Sequence, residues 1–392
     1  MNKKESSLPI TLVLYLLVFV FGMSYTMIGP LMPDFLRRYG LKLAEGGTIV
    51  SIQNISGLAA IIFCGLFGDR LNKKGFIAIG IGLFMVTLLG IGTAPSFGLL
   101  MAIFFVFGIG TRTFDTLSNA LISDIHGNKR SLYLNLLHTF FGIGAFLGPL
   151  FVFYLTDNGV SWNKTFLYLG FAAIVIFVSF LAVLMTGGKK SIEKDVKAPE
   201  KSIGLFALFT RPRMWILGLI IFIHMGVQGV LNTWMPLFAD ASTNSGAFMS
   251  SFALSAFWIG IILSRSLVSR LSERFGEIFM IRWGGLLSLI VFIPALFLGN
   301  ALLLTLGSGF LGLFIGFTIP YVMSIGCGWY PEKSAAVTSM LLIFGYFSVA
   351  VYPWISGLLG DHYGLIAAMI LVIVSQLILF VITWFLPGRR SK

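Results

Sequence analysis

Phe104 to Asn119 reads FFVFGIGTRTFDTLSN. The stretch lies inside an apolar segment, about 97–122, and roughly 20 residues rising 1.5 Å each suffice to cross a bilayer. Arg112 and Asp115 stand near its middle. Each charge at such depth costs about 2.5–3.5 kcal/mol on insertion scales, so such residues face a protein interior or a watery cavity. Gly108, Arg112, Asp115 and Asn119 fall at i, i+4, i+7 and i+11, which is one stripe of a helix. A polar stripe on an apolar helix needs other helices around it.

The remainder of the chain supplies them. Hydrophobic residues make up 57% of the 392 and charged residues 11%, whereas a soluble domain carries about 25% charge. The composition predicts an all-α polytopic membrane protein with no separate soluble domain. Twelve candidate spans lie near 9–32, 47–67, 76–93, 97–122, 132–155, 165–186, 214–237, 248–268, 279–299, 301–327, 336–358 and 365–387. The N-terminal MNKKESS enters the first span without a small-residue cleavage site, which predicts that it is retained. Cys64 and Cys327 both sit in apolar segments, so neither a disulfide nor a metal site is expected.

A net charge of +12 raises nucleic acid as a partner, but the placement of the charge argues against it. Arg70, Lys73, Lys74, Lys129, Arg130, the run from Lys189 to Arg213, Arg270, Arg274, Lys333 and the tail Arg389, Arg390 and Lys392 fall in alternate loops. The opposite loops hold Arg37, Arg38, Lys42 and Lys164. This is the positive-inside bias, and it predicts a plasma-membrane protein with both termini cytoplasmic. No nucleic-acid partner is expected.

Along the chain, Pro30 and Pro33 are expected to close the first span. Gln53 and Asn54 in the second read as helix–helix hydrogen-bonding groups or as solute contacts. In the fifth, Asn135, His138 and Gly142 share a face at i, i+3 and i+7. His224, Gln228 and Asn232 repeat at i, i+4 and i+8 in the seventh, and three polar residues in register suggest a lined cavity. Trp234 reads as an interfacial Trp, and Trp258 in the eighth as a ring for stacking on a sugar or sealing the pathway. Gly316 and Pro320 are expected to break the tenth span mid-membrane, with Tyr321 following the break. The twelfth reads as apolar scaffold.

Between the second and third spans stands GLFGDRLNKKG, Gly65 to Gly75. Its pattern, with Gly65, Asp69, Arg70, Lys73 and Lys74, resembles the loop signature of the major facilitator superfamily; Asn72 stands where a Gly is common. Glu273 and Arg274 in SRLSERFG echo Asp69 and Arg70 at an offset of 204 residues, which also carries the first span onto the seventh. The resemblance and the repeat predict two pseudo-symmetric six-helix bundles, 1–186 and 214–392, joined by a cytoplasmic linker over 187–213. The loop residues then act in conformational gating.

Four segments resemble the fucose-permease and related sugar-symporter branch: Asp115-Thr116-Leu117-Ser118-Asn119, LNLLHTFFGIGAFLGP, SAFWIGIILSR, and the run from GFTIPYVMS to YPWISGLLGD. The resemblance implies proton coupling or sugar binding at Asp115, and solute contacts at Asn135, His138 and the span-seven positions. Departures are the lack of a carboxylate within span one, Gln228 in place of a span-seven acid, and Arg112 in place of a small residue.

The expectation is a monomeric proton-coupled symporter of a small polar solute such as a sugar, with sodium as the alternative ion and no cofactor or metal. Asp115 carries the proton; Arg112, Asn119, Asn135, His138, His224, Gln228, Asn232, Trp258 and Tyr321 contact the solute. Competing readings are symport of an anionic sugar acid drawn by Arg112, drug efflux through a Phe-rich cavity, a non-transporting sensor or scramblase, and a static Arg112–Asp115 bridge. An enzyme is not expected, because no nucleophile–base constellation, metal-ligand spacing or phosphate loop is present.

Overall fold

The computed structural model describes residues 8–67, 72–186 and 207–386. The linker over 187–206, and Asp69 and Arg70 of the signature loop, lie outside the described residues. The helices are α1 (Leu8–Tyr39), α2 (Leu43–Phe67), α3 (Lys73–Ile91), α4 (Phe97–His126), α5 (Arg130–Asp157), α6 (Trp162–Thr186), α7 (Pro212–Thr243), α8 (Gly246–Phe275), α9 (Glu277–Phe297), α10 (Ala301–Ile315), α11 (Thr318–Trp329), α12 (Ser334–Tyr363) and α13 (Leu365–Ile382). With α10 and α11 taken as one broken span, twelve stretches among the described residues are long and apolar enough to cross a bilayer. The chain is an all-α, multi-pass membrane protein.

Two helix ends show how packing and local chemistry divide the work. The break in the tenth span falls at Gly316 and Phe317, between Ile315 and Thr318. Pro320 then sits in the first turn of α11, where a missing N–H costs nothing. Pro30 and Pro33, by contrast, do not end α1, which continues to Tyr39 and stops before Gly40 at φ 65°. Leu31, Met32 and Phe35 are fully buried in that last stretch, so tertiary packing outweighs two lost backbone donors.

Backbone proximity, rather than bulk, holds neighbouring helices together. Between lipid-solvated helices there is little hydrophobic drive, and small residues permit close van der Waals approach. A Cβ at Gly22 of α1 meets the Phe141 carbonyl of α5, and one at Gly80 of α3 meets the Gly110 carbonyl of α4. Gly260 of α8 faces the Gly309 carbonyl of α10, and Gly312 faces that of Phe257.

Contacts divide the chain into two compact units, one spanning Met1–Met27 and Ile52–Lys201, the other Ile28–Ser51 and Ser202–Lys392. The end of α1 and the start of α2 therefore pack with α7 and α12. Gly29 lies on the Asn232 carbonyl, and Gly47 lies on that of Pro353.

Candidate functional site

In the first unit, the polar stripe of α4 forms a short chain of contacts. Arg112 is 8% exposed, and its Nη1 lies 3.5 Å from Oδ2 of Asp115. Its guanidinium sits 5.4 Å from the centroid of the Phe21 ring on α1, within the reach of a cation–π interaction. Phe21 in turn packs edge-on against Phe114 at 5.5 Å. Asn119 Nδ2 donates to the backbone carbonyl of Asp115 at 2.8 Å and to its Oδ1 at 3.3 Å. Two partners thus bracket one carboxylate, each fixed one helical turn away.

Gly108, the first member of the stripe, does not line a space: a Cβ there meets the Gln53 carbonyl and the Ser56 hydroxyl of α2. Gly57 of α2 has the same role, since a Cβ there would stand 2.6 Å from Cγ of Arg112. The α2–α4 crossing is therefore what buries the Arg112 stem. Asn135 and His138 are exposed on α5, as is Thr139, whose hydroxyl turns back to the Asn135 carbonyl at 2.8 Å.

The second unit brings four of the expected residues into two bonded pairs. Gln228 Nε2 lies 3.0 Å from Nε2 of the fully buried His224. An amide nitrogen can only donate, so it holds imidazole Nε2 as an acceptor and leaves the ring proton on Nδ1. That Nδ1 is buried with no hydrogen-bond partner among the described residues. One turn further on, Trp258 Nε1 of α8 donates to Asn232 Oδ1 at 2.9 Å. The bond turns the Asn232 amide so that Nδ2 is left buried, with no hydrogen-bond partner among the described residues. Nε of Arg265 on α8 is likewise buried without a partner among the described residues.

Three buried donor nitrogens of α7 and α8 thus lack partners among the described residues. Buried polar groups are almost always satisfied, and each orphaned one costs about 1–3 kcal/mol.

Other expected residues fall elsewhere. Tyr321 is 2% exposed in an apolar core with Leu217, Ile220 and Val322, its ring 5.4 Å from Phe317 and its hydroxyl paired with Ser272. Trp234 is no interfacial residue: it is fully buried and donates to Ser356 Oγ at 2.9 Å and to the Pro353 carbonyl at 3.2 Å. Of the loop residues, Gly65 is exposed, and a Cβ placed on it would have nothing within 4 Å. Lys73 pairs with Asp124 at 2.7 Å. Lys74, Glu273 and Arg274 are exposed, Arg274 lying over the Phe275 ring at 5.2 Å. No group of three or more His, Cys, Asp or Glu side chains among the described residues could hold a metal ion.

Sequence reading missed Phe21 as the partner of Arg112 and Gln376 in the twelfth span. Gln376 is 1% exposed, with both amide atoms lacking a partner among the described residues. A Phe among 39 carries no signal of its own. A lone Gln in an apolar span was the available sign for the other.

Comparison with known proteins agrees with this architecture. The chain is 25% identical over 283 residues to Bypass of stop codon protein 6 of Saccharomyces cerevisiae, covering 66% of this chain and 56% of the yeast protein. It is 20% identical over 349 residues to the glucose/mannose transporter GlcP of Bacillus subtilis, covering 88% of this chain and 86% of the relative. Its fold matches the crystal structure of a bacterial homolog to the human lysosomal transporter Spinster with a TM-score of 0.82 at 14% identity, over 98% and 97% of the two chains. The family model of the Major Facilitator Superfamily matches residues 14–325 and 241–392. With twelve spans, a broken tenth span and this family match in place, the chain is a membrane transporter and not an enzyme, and it belongs to the Major Facilitator Superfamily.

Proposed function

We propose that this transporter moves a small polar solute, a sugar, by proton-coupled alternating access. The observation that carries the substrate class is the pair of donors on α7, His224 Nδ1 and Asn232 Nδ2, both buried without partners among the described residues, with Trp258 bonded to Asn232. A sugar presents several hydroxyl oxygens for such donors and an apolar ring face for an indole. Gln228 orients His224 and Trp258 orients Asn232, so both donors are fixed before the solute arrives. The name of the Bacillus subtilis relative supports the same class.

Asp115 is the proton-coupling group in this proposal. Arg112 and Asn119 bracket its carboxyl group. In this proposal a solute that draws Arg112 away from Asp115 links solute binding to proton uptake there. Asn135 and His138 complete the solute contacts from α5. The moving bodies are the sequence halves 1–186 and 214–392, with 187–213 as tether and Gly65, Asp69, Arg70, Lys73, Lys74, Glu273 and Arg274 at the gating loops. The charge asymmetry of the loops supports cytoplasmic termini in the plasma membrane, and the carrier is proposed to work as a monomer. A second reading, an anionic sugar acid, is favoured by one observation: the guanidinium of Arg265 on α8 keeps a buried Nε without a partner among the described residues.

Uptake of labelled hexoses and hexuronic acids into vesicles, with and without an uncoupler, tests the proposal. Hexose uptake that collapses with the uncoupler supports it; hexuronate uptake alone assigns the carrier to the anion, and uptake of neither ends the sugar assignment.

A further inference from the structure

We propose that Asp361 is the latch of the gate at the α1–α2 end of the transporter, a positioning residue that pins the start of α2 to the end of α12. The inference rests on the family's transport activity and not on which solute is carried.

The first N–H groups of a helix have no partners within it, and the helix start carries about half a positive charge. A Ser, Thr, Asp or Asn just before the helix ordinarily caps them. The chain before α2 reads Gly40-Leu41-Lys42, which offers no such cap. Glu45 Oε2 accepts from the Lys42 N–H at 2.9 Å. The next two donors are satisfied from across the sequence: Leu43 N–H donates to Asp361 Oδ1 at 2.8 Å and Ala44 N–H to Oδ2 at 2.9 Å. One carboxylate spans both.

The backbones are shaped for that approach. A Cβ at Gly357 meets the Leu43 carbonyl oxygen at 2.6 Å, and one at Gly360 meets Leu43 Cδ1 at 2.8 Å. The contact is also built to part. Asp361 is exposed, so when the helices separate, water can take over both the carboxylate and the freed N–H groups. A buried ion pair in the same place would oppose opening far more strongly. The sequence carries the pattern twice: Gly357-Leu358-Leu359-Gly360-Asp361 repeats the G-L-x-G-D of Gly65-Leu66-Phe67-Gly68-Asp69.

The test places a reporter beneath the latch in a Cys64→Ser/Cys327→Ser background. Ser356 is fully buried against Trp234, and Ser356→Cys is close to isosteric. In a second protein, Thr139→Cys reports from α5, toward the opposite membrane face. Maleimide labelling rates are measured in nanodiscs for Asp361→Asn and Asp361→Ala, and no transported solute is needed. Loss of two charge-assisted bonds at a helix start should speed Ser356→Cys labelling about tenfold. Labelling of Thr139→Cys should slow, because opening one side of an alternating carrier closes the other. Unchanged rates overturn the proposal. So does faster labelling of Ser356→Cys with no change at Thr139→Cys, which marks local fraying. If Asp361→Ala does not accumulate, the isosteric Asp361→Asn, which cannot accept from both N–H groups, decides the question. Failure of the sugar or proton assignment would leave these rates unaffected.

Discussion

The indole N–H of Trp258 donates to Oδ1 of Asn232 at 2.9 Å, and that bond decides which way the Asn232 amide faces. With the oxygen taken, the NH₂ is presented unpartnered within the unit. Orientation of one polar group by another, on a neighbouring helix, converts an ordinary buried amide into a fixed donor.

Trp258→Phe removes that constraint while keeping an aromatic ring. The freed amide can rotate, and a buried hydrogen bond is worth about 0.5–1.5 kcal/mol, so KM for the transported solute should rise about three- to tenfold with the maximal rate within twofold. Initial uptake rates over a range of solute concentrations measure the split. An unchanged KM removes Asn232 from the binding site.

Arg112 and Asp115 separate structural from functional pairing. Removing one member of a buried pair costs about 3–5 kcal/mol, while replacing both can be close to neutral. Arg112→Leu and Asp115→Leu alone should each lower folded yield and melting temperature. The double variant should recover most of both and still fail to couple solute to protons. If it transports with coupling intact, the pair is a static bridge and Asp115 is not the proton site.

The glycine crossings give a prediction with an internal control. A Cβ at Gly312 drives into the Phe257 carbonyl, a backbone atom that cannot rotate away. Gly312→Ala should destabilise by about 1–3 kcal/mol through overpacking. Gly65→Ala has open space around it and should leave stability unchanged or raise it by up to about 1 kcal/mol through better helix propensity. Thermal unfolding of both variants in one detergent makes the comparison.

Lys73 and Asp124 make a 2.7 Å pair between α3 and the end of α4, with side chains 23% and 52% exposed. Ion pairs open to solvent are worth about 0–1 kcal/mol. Lys73→Met should therefore shift the melting temperature by no more than a degree or two, and raising the salt concentration should change the wild-type protein as little.

The elements legible in sequence were those written in local periodicity. About twenty apolar residues make a span whatever surrounds them, and His224, Gln228 and Asn232 declared their shared face by spacing alone. The break at Gly316 was readable because glycine and proline act on their own backbone. What depended on distant partners was not. Pro30 and Pro33 looked like a helix end until the burial of Met32 and Phe35 outweighed them. Trp234 looked interfacial because nothing near it in sequence announces Ser356, and Tyr321 looked exposed to a cavity because its core neighbours come from α7. The cap that Asp361 gives to α2 joins residues more than 300 positions apart. No local pattern reports such a partner.

The measurement that bears most directly on coupled transport is the pH outside lightly buffered vesicles on adding solute. Neutral hexoses, sugar acids and cationic drugs are added in turn to wild type, Asp115→Asn and Arg112→Ala. Proton-coupled sugar import predicts alkalinisation on adding a neutral hexose, abolished by Asp115→Asn. Hexose uptake with no pH change, unaffected by Asp115→Asn, contradicts the account at its centre. A response to sugar acids alone, lost with Arg112→Ala, assigns the carrier to anions, and proton movement evoked only by drugs assigns it to efflux.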